Sequence, residues 1–327
     1  MLTIGLIGTG HLGKIHLRIL KEMPTCKLVG FYDANPEVAA KIAVEYGIKA
    51  FDSLQALLAE VAAVDIVTPT LTHFELAKMA LEAGKHVFLE KPITHTLQEA
   101  ETLVELAKEK NLVGQVGHVE RFNPAFLVLQ GREMNPMFIE GHRLALWNPR
   151  GTDVSVVLDL MIHDLDILLS VVKSPIKHVY ANGVAVLSDS PDIANVRLEF
   201  ENGCVANLTA SRISMKNMRK LRFFQKNTYI SVDFLEKKTD LIRLAQTGEE
   251  SEVGKQVFDF DTGNGLKQMV MEMPDIVPVN AIKMELEEFT ASILHNAPVR
   301  VSLQDGCDAL KAAYLIIAQI KHADERR

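Results

Sequence analysis

The sequence predicts an α/β chain in which a doubly wound parallel sheet is followed by an α+β domain with an open, mainly antiparallel sheet. Three observations carry that expectation. Strand and helix patterns alternate from residue 1 to about 120. Several of these strands are largely apolar runs such as Val64-Asp65-Ile66-Val67, as needed where helices cover both sheet faces. Past residue 120 the rhythm changes to one long helix and then a succession of strands. Two domains are therefore expected, 1–120 and 121–327.

In the first domain, strands read at 2–7, 27–32, 64–67, 86–89 and 112–116, and helices near 11–22, 36–46, 73–83 and 96–110. In the second, a helix reads at about 155–172. Strand-like segments follow at 178–187, 194–200, 204–211, 219–225, 228–235 and 240–246. Glu201-Asn202-Gly203 joins two of them, and Asn-Gly is a strong hairpin signal. Ile230, Val232 and Phe234 alternate with Ser231 and Asp233, which gives one buried and one exposed face. Residues 247–279 carry little periodicity and read as a loop over a cleft or an oligomer arm. Two helices, at about 280–295 and 304–323, close the chain. An open sheet with helices on one face offers its other face to a second subunit, so a homodimer or homotetramer through the C-terminal sheet is expected.

The first strand runs straight into Gly8-Thr9-Gly10-His11-Leu12-Gly13, and an amphipathic helix pattern (Leu12, Ile15, His16, Ile19, Leu20) runs straight out. Strand, glycine turn and helix form the unit that binds a dinucleotide pyrophosphate. Gly8 permits the tight turn, Gly10 lets the backbone approach the phosphates, and Gly13 lets helix and strand pack closely. The amides that begin the helix, at His11 and Leu12, face the anion. Asp33 ends the second strand 20 residues after Gly13, the spacing of a carboxylate that bonds the adenosine ribose. A carboxylate there repels a 2′-phosphate, and no arginine follows in Ala34-Asn35-Pro36, so NAD is expected over NADP.

Composition narrows the class. Hydrophobic residues make up 48% and charged residues 24%, an ordinary globular balance. The net charge of −7 is spread without a basic stripe, which argues against nucleic acid. No apolar run approaches a membrane span, and Met1 leads directly into a strand, leaving no room for a signal peptide. Cys26, Cys204 and Cys307 have neither metal-ligand spacing nor a disulfide framework. No metal and a cytoplasmic setting are expected.

Two further clusters carry chemistry. A strand delivers Glu90-Lys91 to the carboxyl edge of the parallel sheet, where ligands bind in doubly wound folds, and Pro92 turns the chain away. A lysine beside a nicotinamide can hold a substrate hydroxyl. On the long helix of the second domain, Asp159 and His163 stand four apart, so they are expected to meet on one face. A carboxylate beside an imidazole fixes its tautomer for acid–base work. The apolar neighbours of this pair mark the helix as buried.

Together these clusters resemble the glucose–fructose oxidoreductase / inositol dehydrogenase (Gfo/Idh/MocA) family over almost the whole chain. The resemblance is carried by Gly8–Gly13, Asp33, Thr68-Pro69-Thr70 with His73, the block 84–92, Arg121-Phe122-Asn123-Pro124, and the Asp159/His163 helix. It implies an N-terminal Rossmann domain, a C-terminal α+β domain with an open sheet, and a nicotinamide in the cleft between them. It implies Lys91 as the catalytic lysine, with Asp159 and His163 as the acid–base pair. Glu90 would contact the nicotinamide ribose, and Thr68 and His73 would line the cofactor edge. The family's common Thr-Pro-Asn reads Thr-Pro-Thr here, which weakens any contact assigned to position 70.

Segments 117–125 and 153–164 further resemble members that oxidise the 3-hydroxyl of UDP-N-acetylglucosamine, whose 3-keto product is aminated for lipid A. That resemblance implies a nucleotide-sugar substrate. Arg121, Arg143, Trp147 and Arg150 are then candidate substrate contacts, since arginine forks suit phosphate and aromatic rings stack on uracil. The alternatives are an inositol or other free-sugar dehydrogenase, a bilin-reductase-like activity, and a non-catalytic NAD-binding regulator on the same fold.

Overall fold

The computed structural model describes residues 1–148, 154–245, 249–261, 263 and 265–324. Its contacts divide the chain into two units, one of Met1–Phe122 with Asn280–Leu310, the other of Asn123–Val279 with Lys311–Arg327. One division between the units falls between Phe122 and Asn123. Residues 280–310 group with the first unit, not with the residues that precede them.

The first unit begins with β1 (Leu2–Ile7), α1 (His11–Glu22), β2 (Cys26–Tyr32), α2 (Pro36–Tyr46) and α3 (Leu54–Glu60). It continues through β3 (Ala63–Ile66), α4 (His73–Glu82), β4 (His86–Glu90), α5 (Leu97–Glu109) and β5 (Gly114–Gly117). All five strands are parallel, in the order β2-β1-β3-β4-β5. A one-residue parallel bridge from Phe31 to Ala50 stands where a further strand beyond β2 would lie. The crossovers leave β1 in opposite directions, so a crevice opens at its carboxyl end.

Local sequence sets these limits. The Asn35 side chain accepts from the Glu37 and Val38 amides to start α2, and Gly47 ends it in the left-handed conformation. Thr96 and Glu99 form a capping box that starts α5. Helix α1 buries Gly13, His16, Leu17 and Leu20, the i, i+3, i+4, i+7 stripe of a helix lying on a sheet. Leu6, Phe31 and Phe88 are fully buried, and each such side chain contributes about 1.5–3 kcal/mol. Helix α3, absent from the sequence expectation, is held by Ser53, whose hydroxyl accepts from the Ala56 amide.

In the second unit, α6 (Pro124–Leu127) precedes β6 (Phe138–Leu144). A π turn at Val157–Met161 then runs into α7 (Ile162–Val172). Next come β7 (Ile176–Val184), β8 (Ile193–Phe200), β9 (Val205–Ser211), β10 (Met218–Gln225), β11 (Thr228–Asp233) and β12 (Lys238–Leu244). They are followed by β13 (Lys255–Asp261) and β14 (Leu266–Glu272). The sheet order is β13-β14-β12-β11-β10-β6-β9-β8-β7, and among the described residues of this sheet only β6 and β9 pair in parallel. Two helices finish the chain, α8 (Ala281–His295) in the first unit and α9 (Leu303–Asp324), shared between the units. Leu165 and Leu168 of α7, with Ala313 and Ile316 of α9, pack over Val196, Leu208, Leu221 and Ile230 on one sheet face.

Two expectations are corrected here. Residues 255–272 form a β-hairpin at the sheet edge rather than a loop. β13 buries no residue and β14 only Val270, so no period-2 signal marks them. The helix expected at 155–172 is interrupted, because its first turn is π-helical.

Candidate active site

The glycine turn is built by close approach. Gly8 has φ +90°, and a Cβ on it would sit 2.4 Å from the Val67 carbonyl oxygen. A Cβ on Gly13 would lie 2.2 Å from the Gly8 carbonyl oxygen, so α1 can reach the strand only with glycine there. Gly10 is different: its Cβ would meet nothing within 4 Å. Its side faces open space, as close backbone approach to a phosphate requires. His11 and Leu12 begin α1 with Gly10 as the N-cap, and no side chain caps the helix start.

Asp33 closes the turn from the next strand. One of its oxygens accepts from the Thr9 amide (2.9 Å) and hydroxyl (2.6 Å), and the other from the Asn35 amide (3.0 Å). The carboxylate thus stands at the rim of the glycine turn, where a ribose diol would be received. These features fit a dinucleotide.

At the ends of β3 and β4, His73 is buried, with Nδ1 2.9 Å from the Pro92 carbonyl and Nε2 2.9 Å from the Thr68 carbonyl. It ties the two strand exits together. Burial pushes its pKa below the ordinary histidine value. Thr68 is half-buried and accepts from the Thr72 hydroxyl at 2.9 Å. His73 therefore shapes this edge of the sheet from within. Glu90 and Lys91 emerge beside it, both half-buried, and the Lys91 amide donates to Glu90 Oε2 at 3.2 Å. The Lys91–Pro92 peptide is cis.

Sequence reasoning missed what lies under Glu90. His16 of α1 has Nδ1 2.9 Å from Asp65 Oδ2, and its Nε2 is 3.4 Å from Glu90 Oε1. Glu285 of α8 joins them; one ligand-type atom each of His16, Glu90 and Glu285 lie within 4.8 Å of one another. The available signal was Asp65, a carboxylate inside an otherwise apolar strand, since an acid there needs a partner.

In the second unit, Asp159 lies in the π turn and His163 is the second residue of α7, both half-buried. Their i, i+4 spacing thus crosses a π-to-α junction, not two turns of one α-helix. The Ile162 amide reaches back to the Val157 carbonyl, and such turns are frequent at functional sites. One residue after His163, Asp164 takes a two-pronged ion pair from Arg143.

The substrate candidates separate. Arg143 is corrected: it is 3% exposed and its fork is spent on Asp164, so it braces α7 rather than reaching for a phosphate. Arg121 is buried in the first unit, 3.7 Å from Asp305. Trp147 is exposed just beyond β6. Arg150, and Asp153 of the finer motif, lie outside the described residues.

A glycine turn at the switch point of a parallel sheet, with an acid at the next strand end, defines a nicotinamide-dinucleotide oxidoreductase. Residues 2–118 match the model of the oxidoreductase family with the NAD-binding Rossmann fold, and residues 125–228 match the Gfo/Idh/MocA C-terminal domain. The chain belongs to the Gfo/Idh/MocA family of oxidoreductases. It is 39% identical over 296 residues to UDP-N-acetylglucosamine 3-dehydrogenase of Acidithiobacillus ferrooxidans, covering 90% of each chain. A solved structure carrying that name matches with TM-score 0.88 at 36% identity, over 98% of both chains. Scyllo-inositol dehydrogenase from Lactobacillus casei, solved with NAD(H) and scyllo-inositol, shares the fold with TM-score 0.77 at 23% identity, covering 99% of this chain and 98% of that one.

Proposed function

We propose that this chain is an NAD-dependent dehydrogenase that oxidises the 3-hydroxyl of UDP-N-acetylglucosamine. The observation that carries the reading is the near-full-length similarity to a 3-dehydrogenase of that nucleotide sugar, in a chain that holds Lys91, Asp159 and His163. NAD, when bound, supplies the acceptor for the two electrons that leave the carbinol carbon. Lys91 polarises the hydroxyl, His163 takes its proton, and Asp159 holds the imidazole in the required tautomer. Gly8, Gly10, Gly13 and the amides of His11 and Leu12 receive the pyrophosphate, Asp33 the adenosine ribose, and Glu90 the nicotinamide ribose. Asp33 supports NAD over NADP, because its carboxylate is already on the rim where a 2′-phosphate would fall. The 3-keto product is the substrate an aminating step toward lipid A would need.

An assembly through the second sheet belongs to the same reading. Phe138, Phe224, Tyr229 and Ile242 stand in register across four strands, with ring centroids 5.7 and 5.1 Å apart along the row. Their strand neighbours Ile139, Phe223, Ile230 and Leu241 are buried in the core, so the row faces the other way. Such a row supports a homodimer or homotetramer. The three cysteines are all buried and none is in a disulfide; a cytoplasmic setting is part of the proposal. Among the described residues no helix is long and apolar enough to cross a membrane.

The test follows NADH absorbance with UDP-N-acetylglucosamine, its uronic acid, myo-inositol and simple sugars at equal concentration. Turnover of the first is expected. A response confined to inositol overturns the nucleotide-sugar assignment, and no response from any substrate favours a binding protein.

A further inference from the structure

Three carboxylates and one imidazole meet in the interior of the first unit. Asp65, His16 and Glu285 are fully buried, and the Glu90 side chain is 12% exposed. They come from four elements: β3, α1, α8 and the end of β4. Phe88 packs against both the His16 ring and Phe289, so the surroundings are apolar. Room for the cluster is built in, because a Cβ on Gly117 would lie 2.8 Å from Glu90 Oε1. Both carboxylate oxygens of Glu285 are buried without a hydrogen-bond partner, although the Gln115 side chain bonds its backbone carbonyl.

These four groups cannot all carry their ordinary charges. Three anions against a neutral imidazole would leave three uncompensated charges in a low-dielectric interior. We propose that His16, Asp65, Glu90 and Glu285 form one buried proton-holding unit, in which a neutral Glu285 and a protonated His16 leave Glu90 as the single outward anion, fixed beside Lys91. The 4.8 Å span is one that a bridging water or a small rotamer change covers. Glu285 is then a positioning residue: it acts on the nicotinamide edge through Glu90.

The electrostatics agree with this geometry. Burial first, and then the Glu90 charge, hold the Glu285 carboxyl well above the usual range. Burial pushes the His16 ring down, but Asp65 and Glu90 outweigh it and the ring ends well above its ordinary value. Burial raises Asp65, with His16 opposing. Other buried polar groups on the packed elements include Gln115 on β5, His118 just after it, Cys26 on β2, Thr290 on α8, and Glu120 and Arg121 of the turn 119–122. On α8 itself Glu288 is paired with Arg300 at 3.1 Å.

The consequence for turnover rests on the dehydrogenase reading, but the protonation itself is measurable without substrate. The infrared spectrum of the wild-type protein near pH 7 is expected to hold a protonated-carboxyl C=O band, which disappears in Glu285→Gln. Absence of that band in the wild type overturns the proposal, whether or not the variant folds. Melting temperatures give a second reading. A group that keeps its proton in the folded state loses stability as pH rises above its unfolded value, about 4.3 for Glu, whereas glutamine does not titrate. The melting temperature of E285Q minus wild type should therefore climb as pH rises above about 5; a flat difference overturns the proposal. A divalent cation bound one per chain, found by elemental analysis and lost in E285Q, overturns it too, because the cation would then balance the charge. In turnover, the alkaline limb of the kcat profile should move up by about one pH unit or more in E285Q, and superimposed limbs overturn the positioning role. Failure of the sugar assignment would silence only this last arm.

Discussion

Arg143 and Asp164 lock β6 to α7 through two parallel bonds, Nε to Oδ2 at 3.0 Å and Nη2 to Oδ1 at 2.7 Å, with both side chains 3% exposed. Removing one member leaves the other charge buried and unpaired, which costs about 3–5 kcal/mol. Arg143→Ala should lose that much in urea unfolding. Arg143→Lys should recover only part, since an ammonium cannot reproduce the fork. Because Asp164 follows His163, kcat of the residual folded enzyme should fall too. Wild-type stability in R143A would remove the bracing role.

Two glycines of the same turn should behave differently. Gly13→Ala drives a methyl into the Gly8 carbonyl and should destabilise the first unit by about 2 kcal/mol or more. Gly10→Ala meets open space, so its melting curve should match the wild type while NAD affinity falls about tenfold or more, roughly 1.4 kcal/mol. Calorimetric titration with NAD separates the two. Unchanged affinity in G10A would place the pyrophosphate elsewhere.

Asp33→Ala removes the acceptor for Thr9 and Asn35 as well as the ribose partner. The ratio of kcat/KM for NAD over NADP should drop by about tenfold or more, roughly 1.4 kcal/mol. An unchanged ratio would mean that another group rejects the 2′-phosphate.

Lys91→Ala and His163→Asn should each keep NAD binding and lose about 10²–10⁴-fold in kcat, the usual range for a proton-handling group. Calorimetry for the cofactor and NADH absorbance for turnover measure both. A variant that loses NAD affinity in proportion to its rate would be a binding residue instead.

Asp192 gives a pH prediction away from the site. Its carboxylate is fully buried, yet amides of Val186, Leu187 and Ser188 and the Ser188 hydroxyl hold its pKa down to about 2 against the cost of burial. A depressed pKa stabilises the fold above the ordinary carboxylate range, and that stabilisation is lost as pH falls through about 2. Asp192→Asn should melt several degrees lower near neutrality, and the gap should shrink in acid.

Much of the first unit was legible because its signals are local. Gly8 to Gly13 and Asp33 declare themselves through spacing, and the strands through apolar runs. The 255–272 hairpin was not legible, because strands with almost no buried face carry no alternation. Arg143 read as a phosphate contact because sequence names a charge but not its partner, and Asp164 sits 21 positions away. The His16–Glu285 association was further out of reach, since it depends on α8 returning to the first sheet. Asp65 alone hinted at it.

That return has a consequence for how the protein is made. Domains generally fold as units, N-terminal first, as a chain emerges from the ribosome. Here the nucleotide-binding unit includes Asn280–Leu310, so it stays unfinished until the sheet of the other unit has been synthesised. During that interval His16, Asp65 and Glu90 are in the nascent chain without Glu285. The cofactor-binding unit is therefore completed only after the sheet of the other unit has been made, and a ribosome stalled before residue 280 would hold a glycine turn with no finished domain around it.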